Sequence, residues 1–266
     1  MRSAHVARAA TTFVSLDAVV STVDTPATRA QCPQSAARQR AADFPPRFVH
    51  TCIRITMSTA SDSFHFYEPG QGHGLPHDPF NAIVGPRPIG WIGSRSAEGI
   101  ANLAPYSFFN AFNYVPPIVG FASIGRKDSL RNIEATGEFS WNLATRPLAE
   151  AMNASAAMVP AEVDEFVLAE LQMAPSRLIG APRVAASPVS FECRLSQLLP
   201  LQSADGQAID TWLVLGEVVG VHLAHAALQD GIYDPAAVQT ILRAGGAADY
   251  FEVQAQARFR MRRPGQ

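Results

Sequence analysis

Ile89-Gly-Trp-Ile-Gly-Ser94 is a short apolar run of strand character, and Ala97-Glu-Gly99 behind it is a turn signal. The chain then returns through Ile100 to Phe109, so the two runs read as a hairpin. Working outward, Ile118 to Ser123 and Phe139-Ser-Trp-Asn-Leu143 are further β runs. Phe64-His-Phe-Tyr67 reads as a first strand, and Val189 to Leu199 and Thr211 to Leu223 as long late ones. Helical segments fall singly between them. Asp78-Pro79 opens a short helix over Phe80 to Val84. Asp128 to Thr136 is a helix with Asp128 as N-cap and Gly137 just past its end. Pro147 to Met158 and Val163 to Leu171 read as helical. Asp234-Pro235 opens another helix that ends near Gly245-Gly246, and Tyr250 to Val253 is a short strand. Strands dominate and no βαβ rhythm repeats, which predicts a mainly β protein, an antiparallel barrel with helical insertions, rather than a doubly wound sheet.

The chain has 266 residues, 47% hydrophobic and 17% charged, with a formal net charge of −2. That length supports one large domain or two small ones. A near-neutral balance argues against a dedicated nucleic-acid binder. The longest apolar candidate for a membrane span, Leu213 to Leu223, is broken by Glu217 and far too short, so no membrane insertion is expected. Cys32, Cys52 and Cys193 match no disulfide framework or metal spacing. A reducing, cytoplasmic setting fits best. Of 21 Lys+Arg, every one except Lys127 is arginine. Composition bias explains the arginines and makes the single lysine a position to examine.

Residues 1–56 differ from the rest, with seven arginines, three aspartates and no glutamate. Their apolar residues follow no period of 2 or 3.6. The preferred expectation is that Met57 is the true start. A disordered arm and an Arg-rich organellar targeting segment are the alternatives. The working domain then lies in residues 57–266.

Chemistry concentrates in two stretches. Gly125-Arg-Lys-Asp-Ser-Leu-Arg-Asn132 lies where a strand ends and a helix begins. Open N–H groups at a helix start attract anions, whereas Arg126 and Lys127 are placed unfavourably against the helix dipole unless an anion binds there. A phosphate would reverse that sign and give Ser129 an acceptor. An exposed turn capped by Asp128 alone accounts for the residues equally well. Asn102-Leu-Ala-Pro-Tyr-Ser-Phe-Phe-Asn110 interleaves amides with aromatics, and Pro105 confines it to an edge or bulge. A strand kinked there frees backbone groups for the polar rim of a planar heterocycle; a plain barrel strand with aromatic core residues is the simpler alternative. His73 with His77, and His222 with His225, lack a partner set for a metal, so none is expected. Gly70-Gln-Gly-His-Gly74 runs into Pro76 instead of a helix, which excludes a dinucleotide loop, and no Gly-x-Ser-x-Gly elbow or P-loop is present.

Taken jointly, Gly85-Pro-Arg-Pro-Ile-Gly-Trp-Ile-Gly-Ser94, Asn102 to Asn110, Arg126-Lys-Asp-Ser-Leu-Arg-Asn-Ile133, Glu138-Phe-Ser-Trp-Asn142, Gly216-Glu-Val-Val-Gly-Val-His222 and Gly245-Gly-Ala-Ala-Asp-Tyr250 resemble the flavin reductase-like FMN-binding split-barrel family. The branch is the one related to nitrilotriacetate monooxygenase component B, and the resemblance covers residues 64 to about 254. It implies a six-stranded antiparallel Greek-key barrel that forms a homodimer with one FMN per subunit near the interface. It also implies NADH or NADPH as electron donor and a flavin-dependent monooxygenase component as a partner. Carried over by position, Lys127 and Ser129, helped by Arg126, would hold the phosphate. Ser94, Pro105, Tyr106, Ser107 and Asn110 would line the ring and ribityl chain. One departure stands out: Ile209-Asp-Thr-Trp212 places Thr211 where reductases of the wider family carry a histidine near the nicotinamide.

Overall fold

The apolar runs assemble into one seven-stranded antiparallel sheet in the computed structural model, which describes residues 63–265. Expectations for residues 1–56 lie outside the described residues. In chain order the elements are α1 Phe80–Ile83, β1 Gly90–Arg95, β2 Ala101–Tyr106, β3 Phe109–Tyr114, β4 Pro117–Ile124, α2 Asp128–Thr136 and β5 Glu138–Asn142. There follow α3 Ala149–Ala154, α4 Glu165–Leu168, the two-residue strands β6 Met173–Ala174 and β7 Arg183–Val184, and the long strands β8 Val189–Gln202 and β9 Ala208–Leu223. Short ladders close the chain: β10 Leu228–Gln229 with β11 Ile232–Tyr233, and β12 Ile241–Arg243 with β13 Tyr250–Glu252.

The main sheet runs β2-β1-β5-β8-β9-β4-β3. Seven strands stand where six were expected, because the run Ile100 to Phe109 breaks in two at Ser107-Phe108. The Ser107 carbonyl accepts a hydrogen bond from Arg87 Nε at 2.9 Å, and the Phe108 carbonyl accepts one from Ala122 N at 2.9 Å. Phe109 then registers with Phe121 of β4 instead of continuing along β1. The two end strands of the sheet, β2 and β3, are therefore joined by one corner. Pro105 sits on β2, an end strand, where its missing N–H costs no ladder bond.

Alternation along the strands builds two cores. One holds Ile92, Phe109, Phe121, Phe139, Trp141, Cys193 and Val214 from six strands with Leu130 and Ile133 of α2, so the sheet wraps around this cluster and α2 closes it. Cys193 is fully buried there, and burial together with the nearby Glu192 carboxylate pushes its thiol pKa up. Gly216 of β9 is required by packing, since a Cβ at this position would enter the Phe139 ring. The other core, with Trp91, Leu103, Met152, Phe166 and Val184, lies on the opposite face of β1 and β2 under α3 and α4.

Several local expectations are revised. Phe64 to Tyr67 pairs with no strand, and Phe64 and Phe66 are exposed. Lys127, not Asp128, is the N-cap of α2, without a side-chain cap bond; Asp128 is the first helical residue and pairs with Arg131. Gly137 does cap the helix end in the left-handed region, with φ 73°. The segments around α3 and α4 are shorter than expected. Residues 235–239 form turns, and the chain enters β12 where helix was expected. Among the described residues no helix is long and apolar enough to cross a membrane.

Candidate functional site

A cleft of about 200 Å³ lies between the end of β2, the start of α2 and the segment after α3. Its walls include Pro105 and Tyr106 from β2, Lys127 and Ser129 from α2, Met158 and Val159, and Glu165 of α4. The 155–159 wall is anchored by Ser155, whose Oγ accepts from the buried Trp91 Nε1 at 3.0 Å and donates to the Met152 carbonyl at 2.7 Å.

The start of α2 is electrostatically unfinished. The N–H groups of Asp128, Ser129 and Leu130 find no acceptor among the described residues; the first ladder bond runs from Arg131 N to the Lys127 carbonyl. Arg126 is paired with Glu134, and Arg131 with Asp128. The Lys127 ammonium makes no ion pair or hydrogen bond among the described residues. Open amides at the positive end of the helix dipole, beside an unpaired cation, fit a phosphate group. The Tyr106 hydroxyl is also buried, with no partner in bonding geometry among the described residues. Burial pushes its pKa up, with the nearby Ser129 and Ser123 hydroxyls offsetting part of the shift.

Behind the cleft lies a buried polar network. Ser94 Oγ and Ser129 Oγ both donate to Asn102 Oδ1, at 3.1 and 2.7 Å, and Asn132 Nδ2 donates to Ser94 Oγ at 3.2 Å. Asn102 Nδ2 donates to both oxygens of Glu165 at 3.0 Å, and Leu103 N donates to Glu165 Oε2 at 3.0 Å. Asn102 and Glu165 were not among the sequence-derived site residues. Asn102 opens the Asn102 to Asn110 stretch. Glu165 offered one signal, an acidic residue beside the apolar run Phe166-Val-Leu168.

Of the eight sequence-derived positions, Pro105, Tyr106, Lys127 and Ser129 come together at the cleft. Ser94 stands one hydrogen bond behind it. Ser107 is at the β2–β3 corner, held through its carbonyl by Arg87. Asn110, on β3, is exposed, and its Oδ1 accepts from Ala111 N at 2.8 Å. Arg126 is exposed, with its guanidinium 5.4 Å from the centre of the Trp212 ring. Thr211 lies opposite Ile124 at the end of β4, just before Gly125 and Arg126. His222 packs on β9 with its Nε2 against the buried Glu192 carboxylate. Among the described residues no three His, Cys, Asp or Glu side chains cluster as a metal site would require.

Comparison with known proteins places the fold in a family. An uncharacterized protein of Deinococcus radiodurans is 39% identical over 64% of this chain and 77% of its own length. The crystal structure of nitrilotriacetate monooxygenase component B from Bacillus cereus superposes with a TM-score of 0.62 at 28% identity, covering 68% of this chain and 91% of that one. The 2-nitrobenzoate 2-nitroreductase of Pseudomonas fluorescens superposes with a TM-score of 0.60 at 27% identity, covering 70% and 89%. The family model described as flavin reductase like domain matches residues 85–241, more than half of the chain. With the antiparallel sheet, the α2 start and the motifs that build them, this match establishes that the chain belongs to the flavin reductase like domain family.

Proposed function

We propose that this chain is an FMN-dependent oxidoreductase that accepts hydride from NADH or NADPH. Electrons would leave to free flavin, to another small acceptor or to a partner monooxygenase. The observation that carries the reading is the unfinished start of α2: three amides and a Lys127 without partners among the described residues, bordering a cleft walled by Pro105 and Tyr106. Family membership supports flavin chemistry. The monooxygenase component and the nitroreductase among the structural neighbours support the partner monooxygenase and the small acceptor respectively.

Bound FMN would supply the redox chemistry, and the protein would bind and orient it. In this reading Lys127 and the α2 amides hold the phosphate. Ser129 anchors the helix start to β2 and Arg126 adds positive charge at the rim. Pro105 and Tyr106 border the path towards the ring, while Ser94 supports the wall from behind. The cleft is smaller than the roughly 300–1,000 Å³ of a site that encloses a whole ligand. A second copy of the chain would supply the missing wall and bring Ser107 and Asn110 into use. Exposed Phe112, Tyr114 and Val115 around the β3–β4 turn support such a homodimer.

Thr211 at the family's histidine position favours one competing reading, an FMN carrier or sensor that nicotinamide reduces slowly. An absorbance spectrum of the purified protein, followed by anaerobic mixing with NADH and NADPH in a stopped-flow instrument, separates the readings. A flavin spectrum bleached within seconds is expected. A flavin spectrum that persists would favour the carrier, and a colourless protein that takes up no FMN would overturn both.

A further inference from the structure

We propose that Glu165 is a positioning residue of this cleft, acting through the Asn102 side chain to fix the start of α2 against β2. The proposal deepens the flavin-site reading and rests on it for the identity of the ligand. Glu165 is 5% exposed and pairs with no cation among the described residues. A carboxylate in that position is tolerable only if hydrogen bonds replace the lost water. Asn102 and the Leu103 amide provide them, at 3.0 Å each.

The chemistry of these groups sets the order of the network. An ionised carboxylate only accepts, so Asn102 must turn its NH2 towards Glu165. Its Oδ1 then faces the other way, where it can only accept, and the Ser94 and Ser129 hydroxyls donate to it. Ser129 Oγ–H is thereby spent on anchoring α2 to β2 and points away from a cleft anion. The phosphate is left to Lys127 and the backbone amides, whose positions this anchor holds. A neutral group at position 165 removes the constraint, and the Asn102 amide can turn over.

The charged and titratable groups that line the cleft with Glu165 are Lys127 and Asp128 from the start of α2 and Tyr106 from β2, and Asp164 caps its own helix; the 155–159 wall contributes none. Burial pushes the Glu165 pKa up, the Leu103 and Asn102 donors pull it back, and Asp128 raises it further. The anchor is therefore in force above that raised value and is released as pH falls through it.

The test uses the ¹⁵N-labelled full chain without flavin, with the Asn102 side-chain amide identified by its loss in Asn102→Ser. That amide is expected to titrate in the wild type with a midpoint above the ordinary glutamate value of about 4.3, and to stay still in Glu165→Gln. For FMN, the ratio of the Glu165→Gln to wild-type Kd should be near one below that midpoint and rise to roughly three- to tenfold well above it. The same ratio for riboflavin should stay near one. An Asn102 amide that does not titrate, or a Kd ratio constant with pH, would overturn the proposal; should Glu165→Gln not fold, the wild-type titration decides alone. A titrating amide in a wild type that binds no FMN would remove the flavin reading and leave the positioning role standing.

Discussion

Lys127 carries one positive charge with nothing among the described residues to neutralise it, at the end of a helix whose dipole opposes a cation. If it holds a phosphate, its charge-assisted bond contributes on the order of 1.5–3 kcal/mol. Lys127→Gln should then weaken FMN binding by roughly ten- to a hundredfold while leaving riboflavin affinity unchanged, as flavin fluorescence titration would read. Arg126→Gln should matter less, since Arg126 already pairs with Glu134 and is exposed to screening salt. An equal loss for both flavins would move the phosphate elsewhere. Glu192 makes a second prediction. Burial pushes its pKa up, but His222 and the Arg177 and Leu178 amides outweigh burial and hold it below the usual carboxylate range. A lowered pKa contributes stability above the unfolded value that disappears as pH falls through the folded one. Glu192→Gln should cost about 1–3 kcal/mol at pH 7, a difference that denaturant titration should find shrinking below about pH 4.3. At this scale the sequence pointed to Lys127 and Ser129, which the fold brings to one cleft, because an exceptional residue type stood at a legible helix start. It concealed Glu165, which meets Asn102 across 63 positions through tertiary packing alone.

Strands β8 and β9 show how closely the elements are fitted. Gly216 lies on β9 opposite Leu195 of β8 and Val119 of β4, under the Phe139 ring. Gly216→Ala should destabilise the fold by about 1–3 kcal/mol, since overpacking displaces a fully buried aromatic; thermal unfolding would show it, and an unchanged midpoint would mean that β9 yields easily. Gly137→Ala should cost about 1 kcal/mol for its left-handed φ of 73°. Hydrophobic periodicity made β1, β4, β5, β8 and β9 legible, because each carries enough apolar residues to mark its own span. The break at Ser107-Phe108 was not, since Arg87 and Ala122, distant in sequence, impose it. The missing helix after Asp234 has the same origin. Thr240 pairs with Thr145 and Ile241 with the 250–252 strand, and these contacts override the local cap signal.

Residues 64–266 form a unit of their own. A chain starting at Met57 should express, take up FMN and elute as a dimer in size-exclusion chromatography with light scattering. Loss of folding or of flavin in that chain would shift the domain boundary towards the N-terminus. Such a chain would also contain a single thiol, Cys193, because Cys32 and Cys52 are removed with residues 1–56. Cys193 sits at the centre of the wrapped sheet, fully buried and with its thiolate disfavoured. An alkylating reagent reaches it only when the sheet comes apart, so the labelling rate is a clock that counts global openings. A ligand that binds only the closed form slows that clock by the factor 1 + [L]/Kd, about a hundredfold at a hundred times Kd. Quenched labelling read by mass spectrometry, with and without FMN, would thus measure flavin affinity from a sulfur atom that never touches the flavin.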